Sequence, residues 1–239
     1  LPPVSIGVVG DGTDYDETGM QGWRSTDVAK RYDVDKDNVY GTAGLYSLGS
    51  TNFPTPAADA TFQNFTKVGA TWATVSPGAD APSYRNPHPA WDYADIDDPL
   101  ATPGVAVPNW SIQSGFTLSA TTGNPGDWFE LLKFTVDDTA PQGFRLGVMA
   151  ANFDKDVFHP TGLRVVADSG TAFEVTASVT NLTTAPARLT GMVFFDVNLN
   201  GRSAASFSVF SQRPATQGAS LAGLTFDEMP PSGTTFIIR

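Results

Sequence analysis

Apolar and polar residues alternate with a period of two through much of the second half of this chain. That spacing sends one set of side chains to a core and the other to water. Phe173, Val175, Ala177 and Val179 interleave with Glu174, Thr176, Ser178 and Thr180, which predicts a half-buried strand. After Thr183-Thr184-Ala185-Pro186, residues Leu189 to Val197 read as a second strand. Asn200-Gly201, a tight-turn dipeptide, then leads into a third around Phe207 to Phe210. These three strands are expected to form an antiparallel meander. Upstream, Asp127 to Val136 and Gly143 to Ala150 predict another pair, reversed at Asp137-Asp138-Thr139-Ala140-Pro141-Gln142, with Phe144, Leu146 and Val148 facing inward. Leu163 to Ala167, Leu221 to Phe226 and Thr235 to Ile238 add shorter strands.

The first hundred residues are less regular. Ile6 to Val9 and Tyr40 to Leu48 read as strands, and Asp59 to Thr74 as a short helix followed by a strand through Trp72. From Pro77 to Pro108 the chain carries seven prolines, at 77, 82, 87, 89, 99, 103 and 108. Such a stretch cannot form an ordinary central strand, because proline has no N–H for the ladder. It is expected to run over the sandwich as a long excursion. The fold class that follows is all-β: an antiparallel β-sandwich or jelly roll with little helix. The 239 residues are read as one domain, with residues 1–110 as a possible subdomain and 77–110 as the Pro- and aromatic-rich excursion.

Composition narrows the function more than the fold. The chain has 21 Asp against 4 Glu, two His and no Cys, and its formal charge is −11. That charge repels phosphate backbones, so nucleic acid is excluded as a partner. Disulfides and thiolate metal sites are excluded outright. No run of about 18 apolar residues occurs, so no membrane-spanning helix is expected. The start at Leu1-Pro2-Pro3, without an initiator Met, suits either a processed chain or a trimmed one, and the acidic, turn-rich composition predicts an extracellular or cell-surface protein.

Asp33-Val34-Asp35-Lys36-Asp37-Asn38 places three carboxylates at alternate positions ahead of an amide. Calcium takes six to eight oxygens, and such a turn folds several of them around one ion. Asp33, Asp35, Asp37 and Asn38 are therefore candidate calcium ligands. The stretch is not an EF-hand, since Asn38 stands at the sharp-turn glycine position and Gly44 at that of the bidentate Glu. Asp11, Asp14 and Asp16, in the loop Asp11-Gly12-Thr13-Asp14-Tyr15-Asp16-Glu17, are candidates to complete the same site or form a second one. Asp196-Val197-Asn198-Leu199-Asn200-Gly201 also matches the front of a calcium loop, but its position between two apolar strands favours a hairpin turn.

Tyr84, Trp91, Tyr93 and Trp110 in and beside the excursion are candidate ligand-binding residues, because sugar rings present apolar C–H faces to indole and phenol rings. The competing reading is that these rings pin the excursion to the core. Paired aspartates, as in Asp95-Ile96-Asp97-Asp98 or Asp154-Lys155-Asp156, keep open a polysaccharide hydrolase or lyase. His88 and His159 have no metal-ligand spacing, and no nucleophile elbow, phosphate loop or dinucleotide fingerprint is present.

Gly22-Trp23-Arg24-Ser25-Thr26, running into Tyr32-Asp33-Val34-Asp35-Lys36-Asp37-Asn38-Val39-Tyr40-Gly41-Thr42-Ala43-Gly44, resembles an opening that recurs in secreted proteins of planctomycete-like bacteria. Phe144-Arg145-Leu146-Gly147-Val148 and Gly223-Leu224-Thr225-Phe226-Asp227 resemble two further landmarks of that group. Its members often end in a PEP-CTERM-type sorting tail. The resemblance implies export and a sandwich fold, and no catalytic residues. The expected function is a non-enzymatic, calcium-stabilised surface or matrix module that binds glycan or protein. The alternatives are a self-assembling subunit of a surface layer or filament, and the polysaccharide enzyme.

Overall fold

The structure, a computed structural model, describes residues 2–8, 32–33, 41–47, 65–66, 70–81, 94–95, 116–117, 121–149, 161–176, 192–215, 218–221 and 223–229. These residues form strands and turns, with no helix among them. In chain order the strands are β1 (Ser5–Val8), β2 (Tyr32–Asp33), β3 (Gly44–Ser47), β4 (Phe65–Thr66), β5 (Ala73–Pro77), β6 (Ala94–Asp95), β7 (Phe116–Thr117) and β8 (Trp128–Val136). They continue as β9 (Gly143–Met149), β10 (Gly162–Ala167), β11 (Ala172–Thr176), β12 (Met192–Asn198), β13 (Ala205–Gln212), β14 (Ser220–Leu221) and β15 (Gly223–Glu228). Two antiparallel sheets make a sandwich, as the alternation predicts. One has the order β1-β12-β9-β15-β3-β4 and the other β11-β10-β13-β8-β5. Strands β14 and β7 form a separate antiparallel pair, and β2 and β6 a parallel one.

Two expected pairings are corrected. Strands β8 and β9 do not pair with each other: β8 lies in the five-stranded sheet against β13, and β9 in the six-stranded sheet against β12. Nor do β11, β12 and β13 form a meander, because β12 belongs to the opposite sheet. The reason is that both strands around each turn bury their apolar set in the same core from opposite sides. A turn that joins them must cross the roughly 10 Å between stacked sheets rather than fold back within one.

The two crossing turns brace each other. Asn200 (φ 53°) and Gly201 (φ 83°) both adopt positive φ, and Arg202 N–H donates to Leu199 C=O at 3.1 Å, a mirror-image tight turn. Gln142, from the β8–β9 turn, accepts the Gly201 N–H at 2.7 Å through its side-chain oxygen and the Leu199 N–H at 2.8 Å through its backbone carbonyl. The turn read from Asn200-Gly201 is present, but it is an arch between sheets and not a hairpin. The calcium-loop reading of this stretch also fails to converge. Asp196 holds Arg145, the Asn198 oxygen accepts the Asn200 N–H, and the Asn200 amide donates to Pro3 C=O.

The core is aromatic at its centre. Phe134 and Phe207 stack with centroids 4.5 Å apart in the five-stranded sheet. Phe226 of the other sheet meets Phe134 edge-on at 5.2 Å, and Phe144 meets Phe207 at 6.1 Å. Trp72, just ahead of β5, packs against both Phe144 and Phe226. Each such contact is worth about 0.5–1.5 kcal/mol beyond the burial of the rings.

Gly44, at the end of the first stretch singled out in the sequence, joins the 144–148 and 223–227 stretches in one sheet, while Tyr32–Asp33 of that first stretch lies in the separate pair with β6. Strand β15 lies between β9 and β3, pairing Leu224 with Val148 on one side and with Tyr46 on the other. Asp227 accepts the Gly41 N–H at 3.0 Å and both the N–H and hydroxyl of Thr42 at 2.8 Å, which fixes the entry into β3. At that entry and in these two strands, the landmarks mark a structural junction.

Candidate functional site

Of the residues singled out for calcium, Asp33 is the one within the described part, and it lies in β2. There Asp33 pairs in register with Asp95 of β6, the two strands running parallel. The segments Asp33–Asn38 and Asp95–Asp98 thus both begin at one ladder. Asp35, Asp37, Asn38, Asp11, Asp14 and Asp16 lie outside the described residues, as do Tyr84, Trp91, Tyr93 and Trp110. So do Asp154, Asp156, His88 and His159 and the strand expected at 235–238; of 59–74, expected as a short helix and a strand through Trp72, residues 65–66 and 73–74 are strand and Trp72 lies in the turn ahead of β5. Among the described residues no group of three or more acidic or histidine side chains converges as a metal site would.

The described part contains a different surface. Outer positions at the middle of the six-stranded sheet are closed off: Phe194 is 5% exposed and Thr225 1%, with Gly147 and Gly223 also buried, while Arg145 and Asp196 nearer one end are partly exposed and paired with each other. The Thr225 hydroxyl has no hydrogen-bond partner. The outer positions of the five-stranded sheet are more open, from exposed Ser206, Lys133 and Thr135 to partly buried Phe210 and Gln212, with Glu130 buried among them. In β13 the set Ala205, Phe207, Val209 and Ser211 is buried, which turns Ser206, Ser208, Phe210 and Gln212 outward. Register then sets Glu174, Arg164, Phe210 and Glu130 in one row across β11, β10, β13 and β8. A second row pairs Ser208 with Val166 and Lys133, and a third aligns Ser206, Thr135 and Thr74.

Trp128 sits beside the first row, opposite Gln212 and half-buried. The Arg164 guanidinium reaches across to lie 4.1 Å from its ring centroid, a cation–π contact. The same guanidinium donates through Nε and Nη2 to Glu174 Oε2 at 3.1 and 2.7 Å. Gln212 is fixed at both ends, donating to Gly126 C=O and accepting from the Thr161 hydroxyl. The indole, the guanidinium and the flanking amide are therefore each held in place by a neighbour.

Glu130 reaches this face through an irregularity. By strict alternation with Leu132, Phe134 and Val136 it would point into the core. A β-bulge between the pairs Val209–Leu132 and Phe210–Glu130 inserts Leu131 as an extra residue and turns Glu130 outward. Burial pushes its carboxyl up, but hydrogen bonds from the Ser208 hydroxyl and the Ala79 N–H, with the Lys133 ammonium 3.2 Å away, together hold it below the ordinary carboxylate range. Glu130 also anchors the departure of the Pro-rich excursion. Ala79 N–H donates to its side chain at 2.7 Å, Asp80 N–H to its carbonyl at 3.0 Å, and its own N–H to the Asp80 carboxylate at 2.8 Å. A Cβ at Gly78 would collide with the Glu130 carbonyl, so only glycine permits this approach.

No known protein family, characterised protein or solved structure matches this chain.

Because the folded-state carboxyl of Glu130 titrates below its unfolded value, its contribution is present above the ordinary Glu range and is lost as pH falls through the folded value. Glu130→Gln should lower stability by about 1–3 kcal/mol at neutral pH, the scale of hydrogen bonds to a charged group. The gap between variant and wild type should close only as pH falls below the ordinary Glu range and through the folded value. Melting temperatures measured across this pH range check both statements, and a constant gap at all pH values would contradict them.

Proposed function

We propose that this chain is a non-enzymatic, exported module of the cell surface or matrix that binds its ligand on the outer face of the five-stranded sheet and is braced by calcium at its N-terminal acidic loop. The observation that carries this reading is the unequal dressing of the two sheets. One outer face is buried at Phe194, Gly147 and Thr225. The other presents Trp128 and Phe210 among polar groups already held in place. Tryptophan and arginine dominate the energetics of binding surfaces, and here the two are in contact.

The calcium part is supported by the pairing of Asp33 with Asp95, which brings two acidic segments of the sequence to a common origin. Assembly by extension of the five-stranded sheet is disfavoured at β5. There the Ala73 N–H donates to Ala70 C=O, the Ala73 C=O accepts the Tyr46 hydroxyl at 2.8 Å, and Pro77 has no N–H to offer.

Two outcomes are expected. Purified protein should co-sediment with insoluble extracellular matrix material from a bacterial biofilm, and Trp128→Ala combined with Phe210→Ser, still folded by circular dichroism, should leave it in the supernatant. Equal sedimentation of both proteins would overturn the binding face. Millimolar calcium should raise the melting temperature by several degrees over chelator, since a ligand at a hundred times its dissociation constant adds about 2.7 kcal/mol. Asp33→Asn with Asp35→Asn should abolish that rise, and no rise in the wild type would remove the metal from the account.

A further inference from the structure

We infer that the ligand of this face is an uncharged glycan chain, an inference that rests on the binding-face reading above. The electrostatics point there first. Among the described residues the face carries two cations and two anions, and each is spent on a partner within the face: Arg164 on Glu174 at 2.7 Å and Lys133 on the buried Glu130 at 3.2 Å. A charged ligand would have to break one of these pairs to gain another, for little net benefit. Polyanions are further disfavoured by the chain's formal charge of −11, which acts beyond the contact zone.

The chemistry of the remaining groups points the same way. Trp128 and Phe210 offer partly exposed ring surface, with Arg164 covering part of the indole. Sugar rings stack on such surfaces through their C–H faces. Four residues along β13 from Phe210, about 13 Å away, Ser206, Thr135 and Thr74 align exposed hydroxyls across three neighbouring strands, and Ser76, in the row between, adds another on β5. A glycan of several sugar units running along β13 from the rings reaches this row, where each hydroxyl is both donor and acceptor. A protein partner would call for a continuous apolar centre depleted of charge. Here paired charges separate the rings.

The test is affinity electrophoresis through gels containing soluble neutral glucans, mannans or xylans, with polygalacturonate as the acidic comparison. At least one neutral polysaccharide should retard the protein, equally at about 50 and 500 mM salt, because no counterions are released. Trp128→Ala should weaken that binding about tenfold or more, the effect of losing about 1.4 kcal/mol. Trp128→Phe, which keeps a ring, should restore part of it. Phe210→Ser gives an independent check should Trp128→Ala lose its fold. Retardation by polygalacturonate alone, or by no neutral polysaccharide, would overturn the inference. So would retardation that neither Trp128→Ala nor Phe210→Ser alters. A final arm separates this failure from that of the binding face itself. Face-dependent sedimentation with matrix that survives periodate oxidation but not protease treatment would refute the glycan while leaving the face. Sedimentation indifferent to Trp128 and Phe210 would refute both.

Discussion

The sandwich depends on aromatic contact across its midplane. Phe134 and Phe207 from one sheet meet Phe144 and Phe226 from the other, and Trp72 closes the cluster at the β5 end. These rings bring together strands far apart in sequence and give each sheet a fixed seat on the other. The chain reaches this arrangement by crossing between sheets at successive turns, so the ladder partners of β8 and β9 are β13 and β12 and not each other. Local alternation alone cannot hold such a topology. It needs both the shared core and the turn-to-turn contacts at Gln142 that keep the two arches in step.

The open face of the five-stranded sheet follows from that scaffold. Once Phe207 and Val209 are fixed inward, Ser208 and Phe210 must point out, and the bulge at Leu131 delivers Glu130 to the same side. Arg164 then links three strands, pairing with Glu174 on β11 and covering Trp128 on β8 from its own place on β10. The face is thus stiffened by its own charges. That leaves ring surface and hydroxyls as the groups still available to a ligand.

Much of this was legible in the sequence, and the failures have physical causes. The alternation at Phe144, Leu146 and Val148 and the apolar runs near Leu163 and Phe207 located strands correctly, because period-two burial is a local property. Pairing was misread at the 137–142 and 199–204 turns, because a reversal within a sheet and an arch between sheets use the same residues; Asn200-Gly201 has the same positive φ values in either. The open face of the five-stranded sheet is illegible in the sequence for a related reason. Trp128 and Phe210 look like ordinary strand residues until register puts them beside Arg164, and Glu130 falls on the core side of the alternation until the bulge is known. Composition instead makes the acidic and aromatic stretches of the first 110 residues conspicuous. Of these, Asp33 gained a partner, Asp95, that sequence distance had concealed.

The most direct test of the scaffold is a double-mutant cycle between Phe134 and Phe226, whose rings meet edge-on across the sheets at 5.2 Å. Denaturant unfolding of Phe134→Leu, Phe226→Leu and the double variant isolates their interaction from the burial each ring loses alone. The account predicts a coupling of about 0.5–1.5 kcal/mol. Strictly additive losses would mean that the rings do not touch, and that the two sheets are not seated on each other in this way.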